Sequence, residues 1–248
     1  MQLKNKIAVV TGGSRGIGAA ISKKLAANGA TVAILYKSST VQAQSLVSNL
    51  AAAGGLAAAF AADVSKLTEA KEAVEAIVAQ FGRIDILINN AGIFEARGVG
   101  DIDAEHVARV FDTNLGSVLN MTQLAIPHFP TTGGRIVNVS SNLMYSPRPG
   151  TGIYAASKAA VSVMTHAFAK ELGARGITVN AVAPSMTHTD MTVATPEARR
   201  QAVIASTPGG RIGEPDDIAD VVSFLAADAS RWVMGRTILV DGGLTDGL

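Results

Sequence analysis

The chain predicts an α/β fold: a single doubly wound domain with a seven-stranded parallel sheet flanked by helices on both faces. Two observations carry that expectation. Short apolar, β-branched runs alternate with Ala-rich stretches at helical spacing from end to end, the pattern of strands joined by crossover helices. The composition, 48% hydrophobic with 25 Gly and 42 Ala in 248 residues, favours helices lying close on a sheet through small side chains. Open α/β sheets of this length routinely form one domain, so residues 1–248 are expected to be a single unit.

The strands are placed at residues 6–10, 31–35, 57–62, 84–89, 135–140, 178–183 and 237–240, each an apolar run bounded by Gly, Asn, Asp or Ser. Between them, residues 16–28, 40–53, 67–81, 103–129, 154–175 and 215–227 show helical periodicity, with Gly29, Gly54 and Gly176 as C-terminal caps. Asp101, Asp103 and Glu105 precede or open the fourth helix and read as capping and first-turn charge rather than as paired catalytic acids. The least regular stretch, 185–213, is long for a loop inside a compact domain and is therefore marked as functional.

Composition also excludes. With no Cys, the chain is neither a disulfide-stapled module nor a thiolate metal protein. His106, His128, His166 and His188 show no metal-ligand spacing, so no metal is expected. A net charge of +1 offers no footprint for nucleic acid or an anionic membrane. Residues 1–6 turn polar too soon for a signal peptide, and no run of about 18 apolar residues follows, so a soluble, cytoplasmic protein is expected.

Directly after the first strand come Thr11, Gly12, Gly13, Ser14, Arg15, Gly16, Ile17 and Gly18, opening the first helix. Glycines at such a turn let the backbone approach a pyrophosphate, whose charge the helix N-terminus then meets. Three residues between Gly12 and Gly16 depart from the usual G-x-G-x-x-G, and a ligand-free Gly-rich turn is the plain alternative. Asp63 and Val64 after the third strand, and Asn89, Asn90, Ala91 and Gly92 after the fourth, share the carboxyl edge where open sheets bind ligands. A site for NAD would place an acid at the end of the second strand, but Tyr36, Lys37, Ser38 and Ser39 stand there. Lys37 and Arg15, helped by the serine hydroxyls, suit a 2′-phosphate, so NADP(H) is expected over NAD(H). The alternative is that both are solvated surface cations.

A second cluster begins where the fifth strand ends, with Asn138, Ser140 and Ser141, and continues with Tyr154 and Lys158 at the start of a helix. Tyr and Lys at i and i+4 share one face. A nearby ammonium favours the phenolate, which lets Tyr154 exchange a proton with a substrate oxygen, while Ser141 donates a hydrogen bond to that same oxygen. Each element alone also occurs by chance: a Ser-Ser pair often just ends a strand.

The conjunction resembles the short-chain dehydrogenase/reductase family over essentially the whole chain. The segments that carry the resemblance are Thr11-Gly12-x-x-x-Gly16-Ile17-Gly18, Asn89-Asn90-Ala91-Gly92, Asn114, Ser141, Tyr154-x-x-x-Lys158, Asn180-Ala181-Val182-Ala183-Pro184 and Val240-Asp241-Gly242-Gly243, in the family's order. The resemblance implies a Rossmann domain and a catalytic tetrad: Tyr154 as general acid, Ser141 orienting the carbonyl, Lys158 holding the ribose and lowering the Tyr pKa. Asn114 is implied as the fourth member, interrupting a helix and helping to hold a water that links Lys158 to solvent. Pro184, Thr187 and Thr189 resemble the stretch that contacts the nicotinamide carboxamide, although Ser185 stands where many members have Gly. Two long helices and the C-terminal strand region are implied as interfaces of a homotetramer, or at least a dimer, with residues 244–248 able to close a subunit edge.

The function expected is NADPH-dependent reduction of a ketone or aldehyde, reversible as alcohol oxidation, on a small-molecule substrate. Within the family, the Ser14-Arg15 turn and the C-terminal half resemble 3-oxoacyl-carrier-protein reductases. An acidic carrier would need a basic docking patch, and residues 129–134 are almost uncharged with Arg175 alone nearby, so a free carbonyl substrate is preferred. A non-catalytic NADP(H)-binding regulator is a rival of another class, and the intact Ser, Tyr and Lys argue against it. A methyltransferase on a similar sheet would want an acid where Tyr36 and Lys37 stand. Met144, Tyr145, Pro147, Met186 and Met191 suggest a partly apolar pocket, though each could equally be packing.

Overall fold

The computed structural model describes residues 2–245. Seven parallel strands, β1 (Ile7–Thr11), β2 (Thr31–Tyr36), β3 (Leu56–Ala61), β4 (Ile86–Asn89), β5 (Gly134–Val139), β6 (Ile177–Pro184) and β7 (Thr237–Val240), form one sheet in the order β3-β2-β1-β4-β5-β6-β7. The order reverses between β1 and β4, so the loops leaving those two strands diverge and open a crevice at the carboxyl edge.

Helices cover both faces, which is why the strands are apolar on both sides. On one face α1 (Gly16–Ala27), α2 (Thr40–Ala52) and α8 (Pro215–Ala226) bury Ile21, Leu25, Leu46, Leu50, Ile218 and Val222 against Val10, Ile34 and Ile88. On the other, α3 (Leu67–Phe81), α5 (Ser117–Ala125) and α6 (Gly152–Leu172) bury Val74, Ile77, Met121 and Leu172 against Val9, Leu87, Ile136 and Val179. The alternation of Val9 and Val10 between these two cores is the pleat at work.

The expected helix over 103–129 is broken. It runs as α4 (Ala104–Phe111), a π-helical turn Asp112–Gly116 in which the Ser117 N–H reaches back five residues to the Asp112 carbonyl, then α5, then a 3₁₀ turn Ile126–His128. The π turn centres on Asn114, whose amide is pulled out of the helical surface by partners elsewhere. Pro127, with no N–H to donate, ends the regular helix. Asp103 caps α4 as expected, accepting from His106 N at 2.7 Å. The helix expected over 154–175 begins two residues earlier and ends at Leu172, with a 3₁₀ turn carrying the chain to Gly176 in the left-handed region.

The stretch 185–213 is not wholly irregular, because α7 (Glu197–Ser206) lies within it. Only Val203 of its residues is buried, so it carries no apolar stripe for periodicity to detect. The tail expectation for 244–248 lies largely outside the described residues. Leu244 and Thr245 bond back to Asp241, and Thr245 lies 3.4 Å from the Asn142 amide of the same chain.

Candidate active site

The turn after β1 is built for close backbone approach. Gly12 and Gly16 adopt φ of 60° and 52°. A Cβ at Gly18 would stand 2.1 Å from the Gly12 carbonyl oxygen, so only glycine lets the turn fold back on α1. Arg15 at the N-cap offers no side-chain cap and the first turn of α1 holds no acid, which leaves that helix end disposed toward an anionic ligand. Ser14 is buried, and Ile17 packs its side chain toward the core, so both face the crevice through backbone. Asn90, expected at the cofactor, also bonds within the chain. Its amide donates to the Thr11 and Gly12 carbonyls at 3.0 and 3.2 Å, and the Thr11 hydroxyl accepts from the N–H groups of Asn90 and Ala91. The side chain of Asn90 thus staples β4 to the glycine turn.

At the ends of β2 and β3 the expected phosphate cations already have acidic partners. Lys37 Nζ lies 2.7 Å from Asp63 Oδ2, and Arg15 lies 3.4 Å from Asp190. Burial pushes the Asp63 carboxyl up, but hydrogen bonds from Lys37 and Ser65 outweigh it and hold the group below the usual carboxylate range. Tyr36 is half-buried and Ser38 exposed beside this pair. Val64, expected among the ligand contacts, sends its side chain into the core. Asp190 is a residue that sequence reasoning missed, since only the fold brings it to Arg15.

Across β5 lies the cluster of Ser141, Tyr154 and Lys158. Ser141 caps a short 3₁₀ turn, accepting from Leu143 N at 3.2 Å, and its hydroxyl faces the Tyr154 phenol. Tyr154 is half-buried in the first turn of α6, and Lys158 Nζ lies 5.9 Å from its ring centroid. Burial pushes the phenol up, and the Ser141 hydrogen bond opposes that rise. The Lys158 ammonium, inside the protein, donates to the Val139 carbonyl at 2.9 Å, and burial pulls it down to about 8. A fully buried amide chain fixes α6 on the sheet: Asn89 donates to Asn138 at 2.8 Å and Asn138 to the Thr165 hydroxyl at 2.8 Å.

Asn114 is completely buried. Its amide bonds both the N–H and the carbonyl of Ile93, at 2.8 and 3.1 Å, and the Ser157 hydroxyl at 3.0 Å. Gly92 lies between: a Cβ there would sit 3.1 Å from Asn114 Oδ1 and 3.3 Å from Lys158 Nζ. Two residues on, the Phe94 ring meets the Tyr154 ring edge-on, centroids 4.9 Å apart at 77°. Phe94 had no signal in the sequence, because nothing local announces which aromatic will reach Tyr154.

The chain leaving β6 returns over the crevice. Pro184 is buried and Ser185 stays in register, its N–H 3.4 Å from the Val240 carbonyl, so the missing Gly requires no unusual backbone. Thr187 is buried and bridges to Gly213, and Thr189 lies over Gly16, where an added Cβ would be 3.3 Å from its methyl. His188 is exposed beside Glu214, 3.7 Å away. Met144 belongs to the packing, since its sulfur accepts from the Ser140 and Ser162 hydroxyls. Among the described residues no group of three His, Cys, Asp or Glu is arranged to hold a metal, and no helix is long and apolar enough to cross a membrane.

A doubly wound sheet with a glycine turn on one side of its switch point and a Ser, Tyr and Lys cluster on the other defines an α/β oxidoreductase. A family profile described as enoyl-(acyl carrier protein) reductase matches residues 12–245. An uncharacterised oxidoreductase of Methylorubrum extorquens is 44% identical over 246 residues, covering 98% of this chain and 99% of its own. The 3-oxoacyl-[acyl-carrier-protein] reductase FabG of Thermotoga maritima is 41% identical over 245 residues, 98% of this chain and 99% of its own. A short-chain dehydrogenase from Burkholderia cenocepacia, solved in complex with NADP, superposes with a TM-score of 0.94 at 41% identity, covering 98% of this chain and 99% of that one. The chain belongs to the short-chain dehydrogenase/reductase family.

Proposed function

We propose that the protein reduces a ketone or aldehyde to an alcohol with NADPH, reversibly, on the Ser141, Tyr154, Lys158 and Asn114 constellation. The observation that carries this reading is the Tyr154 phenol, half-buried between the Ser141 hydroxyl and the buried Lys158 ammonium. Ser141 donates a hydrogen bond to the carbonyl oxygen as charge grows on it, and Tyr154 gives that oxygen its proton. The Lys158 charge stabilises the phenolate left behind, and its Nζ is the group placed to hold a ribose hydroxyl. Asn114 holds the Ile93 backbone beside Lys158, where a relayed proton would re-enter from solvent.

The residues fit a nicotinamide dinucleotide phosphate. Gly12, Gly16 and Gly18 with the open end of α1 would take the pyrophosphate, and Ala91 and Gly92 would line the crevice. Arg15, Lys37 and Ser38 would take the 2′-phosphate, exchanging their present acidic partners for it. Asp63 would meet the adenine, and Pro184, Thr187 and Thr189 the carboxamide. Bound there, NADPH supplies the hydride. The Burkholderia relative, solved with NADP, supports the choice of the phosphorylated form.

A free carbonyl compound is preferred to an acyl carrier because the cations weighed for docking stand at the amino ends of β5 and β6, on the sheet edge opposite the crevice, and are already engaged. Arg175 donates to the Ile126 carbonyl at 3.0 Å and Arg135 pairs with Asp228 at 2.9 Å. The 3-oxoacyl-carrier-protein reductase of Thermotoga supports the second reading, reduction of a 3-oxoacyl thioester. We further propose a cytoplasmic homotetramer, supported by the exposed apolar side chains Val163 on α6, Leu119 on α5 and Trp232 before β7.

Purified protein with NADPH is tested against ketones, aldehydes and 3-oxoacyl thioesters, following loss of nicotinamide absorbance. Turnover that disappears in Tyr154→Phe while NADPH binding persists supports the enzyme. Unchanged turnover in that variant overturns the mechanism, and NADPH binding without turnover of any carbonyl favours a regulator.

A further inference from the structure

Phe94 lies in an extended segment with no regular hydrogen-bonding partner strand, yet its position is fixed. Asn114 clamps both backbone groups of Ile93 immediately before it, and Arg97 N–H donates to the Gly150 carbonyl at 2.9 Å shortly after. The clamped loop delivers the Phe94 ring edge-on to the Tyr154 ring. That leaves Tyr154 confined on one side by Phe94 and on the others by Ser141 and Lys158. Phe94 nonetheless remains 39% exposed, so this contact leaves part of its ring uncovered. The free part of the ring is apolar surface standing beside the phenol that meets the substrate oxygen.

We propose that Phe94 positions Tyr154 and selects carbonyl substrates carrying a planar aromatic or conjugated group next to the reacting carbon. This rests on the carbonyl-reductase reading above. Aromatic rings prefer offset or edge-to-face contact at 4.5–7 Å between centroids, and such a pair gains a further increment beyond its buried area. A substrate aryl group bonded to the carbonyl would stand against the free part of the Phe94 ring when its oxygen is held by Tyr154 and Ser141, since the two rings already meet edge-on. A saturated group of the same size fills the space without the ring-ring term. Phe94 also keeps water from one side of the phenol, so its removal relaxes the burial that pushes Tyr154 up.

The test compares acetophenone with cyclohexyl methyl ketone, two methyl ketones of similar bulk, in the wild type and in Phe94→Leu, Phe94→Ala and Phe94→Tyr. The ratio of kcat/KM, aryl over cyclohexyl, is expected to fall about 3- to 10-fold in Leu and Ala and to be retained in Tyr. The pH limb of alcohol oxidation is expected to move to lower pH in Ala and to stay in place in Tyr. NADPH affinity, measured by fluorescence titration, serves as the check on folding in each variant. A ratio within twofold of wild type in both Leu and Ala overturns the selection, and an unmoved pH limb in Ala overturns the positioning. A wild type that turns over neither ketone nor any other carbonyl overturns the reductase reading itself, which is a different result from an active wild type with an unchanged ratio.

Discussion

The Lys158 ammonium is tied to the Val139 carbonyl at 2.9 Å, so the helix that carries Tyr154 is bonded to the strand that leads to Ser141 two residues later. Tyr154 and Ser141 therefore share one frame.

That bond has a measurable cost. Burial pulls Lys158 down to about 8, against 10.5 for an ordinary lysine. Between those values the unfolded chain binds more protons than the folded one, so stability rises with pH across the window, and below pH 8 the full burial penalty is present. Lys158→Met is expected to stabilise the NADPH-free protein at pH 7 by up to about 3 kcal/mol, less the lost hydrogen bond, and to flatten the rise between pH 8 and 10. Carbonyl reduction is expected to fall at least about 100-fold. Urea unfolding at pH 7 and pH 10 checks the first. A variant less stable than wild type at pH 7 would contradict it.

Gly18→Ala places a methyl 2.1 Å from the Gly12 carbonyl oxygen, a clash that backbone must relieve. The expected outcome is a destabilisation of about 1–3 kcal/mol and loss of NADPH binding by tenfold or more. Gly100, where an added Cβ meets nothing within 4 Å, is the control. Gly100→Ala should leave both quantities near wild type, and equal effects at the two sites would remove the steric explanation.

Arg15 and Lys37 each hold an acid that a 2′-phosphate must displace. Asp190→Asn is expected to tighten NADPH binding by at most about fivefold, because an exposed ion pair is a weak competitor. Lys37→Glu should weaken NADPH at least tenfold and leave NADH nearly unchanged. Calorimetric titration with both nucleotides decides, and an unaltered NADPH affinity in Lys37→Glu would rule out this lysine as the phosphate ligand.

Asn90→Ala removes the donor to the Thr11 and Gly12 carbonyls. NADPH affinity is expected to drop several-fold together with a loss of about 1–3 kcal/mol in stability, since two carbonyls lose their partner. Rescue by Asn90→Gln is not expected, because the longer side chain overshoots the turn. Thermal melts with and without NADPH follow both effects at once.

Much of this was legible in order along the chain. Strands and crossover helices are local patterns, and the glycine turn, Tyr154 and Lys158 announce themselves by spacing on one element. Ser141 was read from its place at the carboxyl end of the fifth strand, and Asn114 was found through the resemblance. Periodicity alone ran one helix over 103–129, whereas the interruption at Asn114, which the resemblance implied, is fixed by a pair of bonds to Ile93, twenty-one residues away. Helix α7 escaped because a helix that buries one side chain leaves no periodic trace.

The sequence by itself determined the fold class, the crevice edge and the residue types of the cluster, since each depends on residue type at short separation. Only the tertiary structure decided which groups are engaged. It gave Lys37 to Asp63 and Arg15 to Asp190, turned Val64 into the core, made Asn90 a staple, and brought Phe94 against Tyr154. Those outcomes turn on contacts between segments far apart in the chain, whose geometry is set by how the helices seat on the sheet, and no local spacing encodes them.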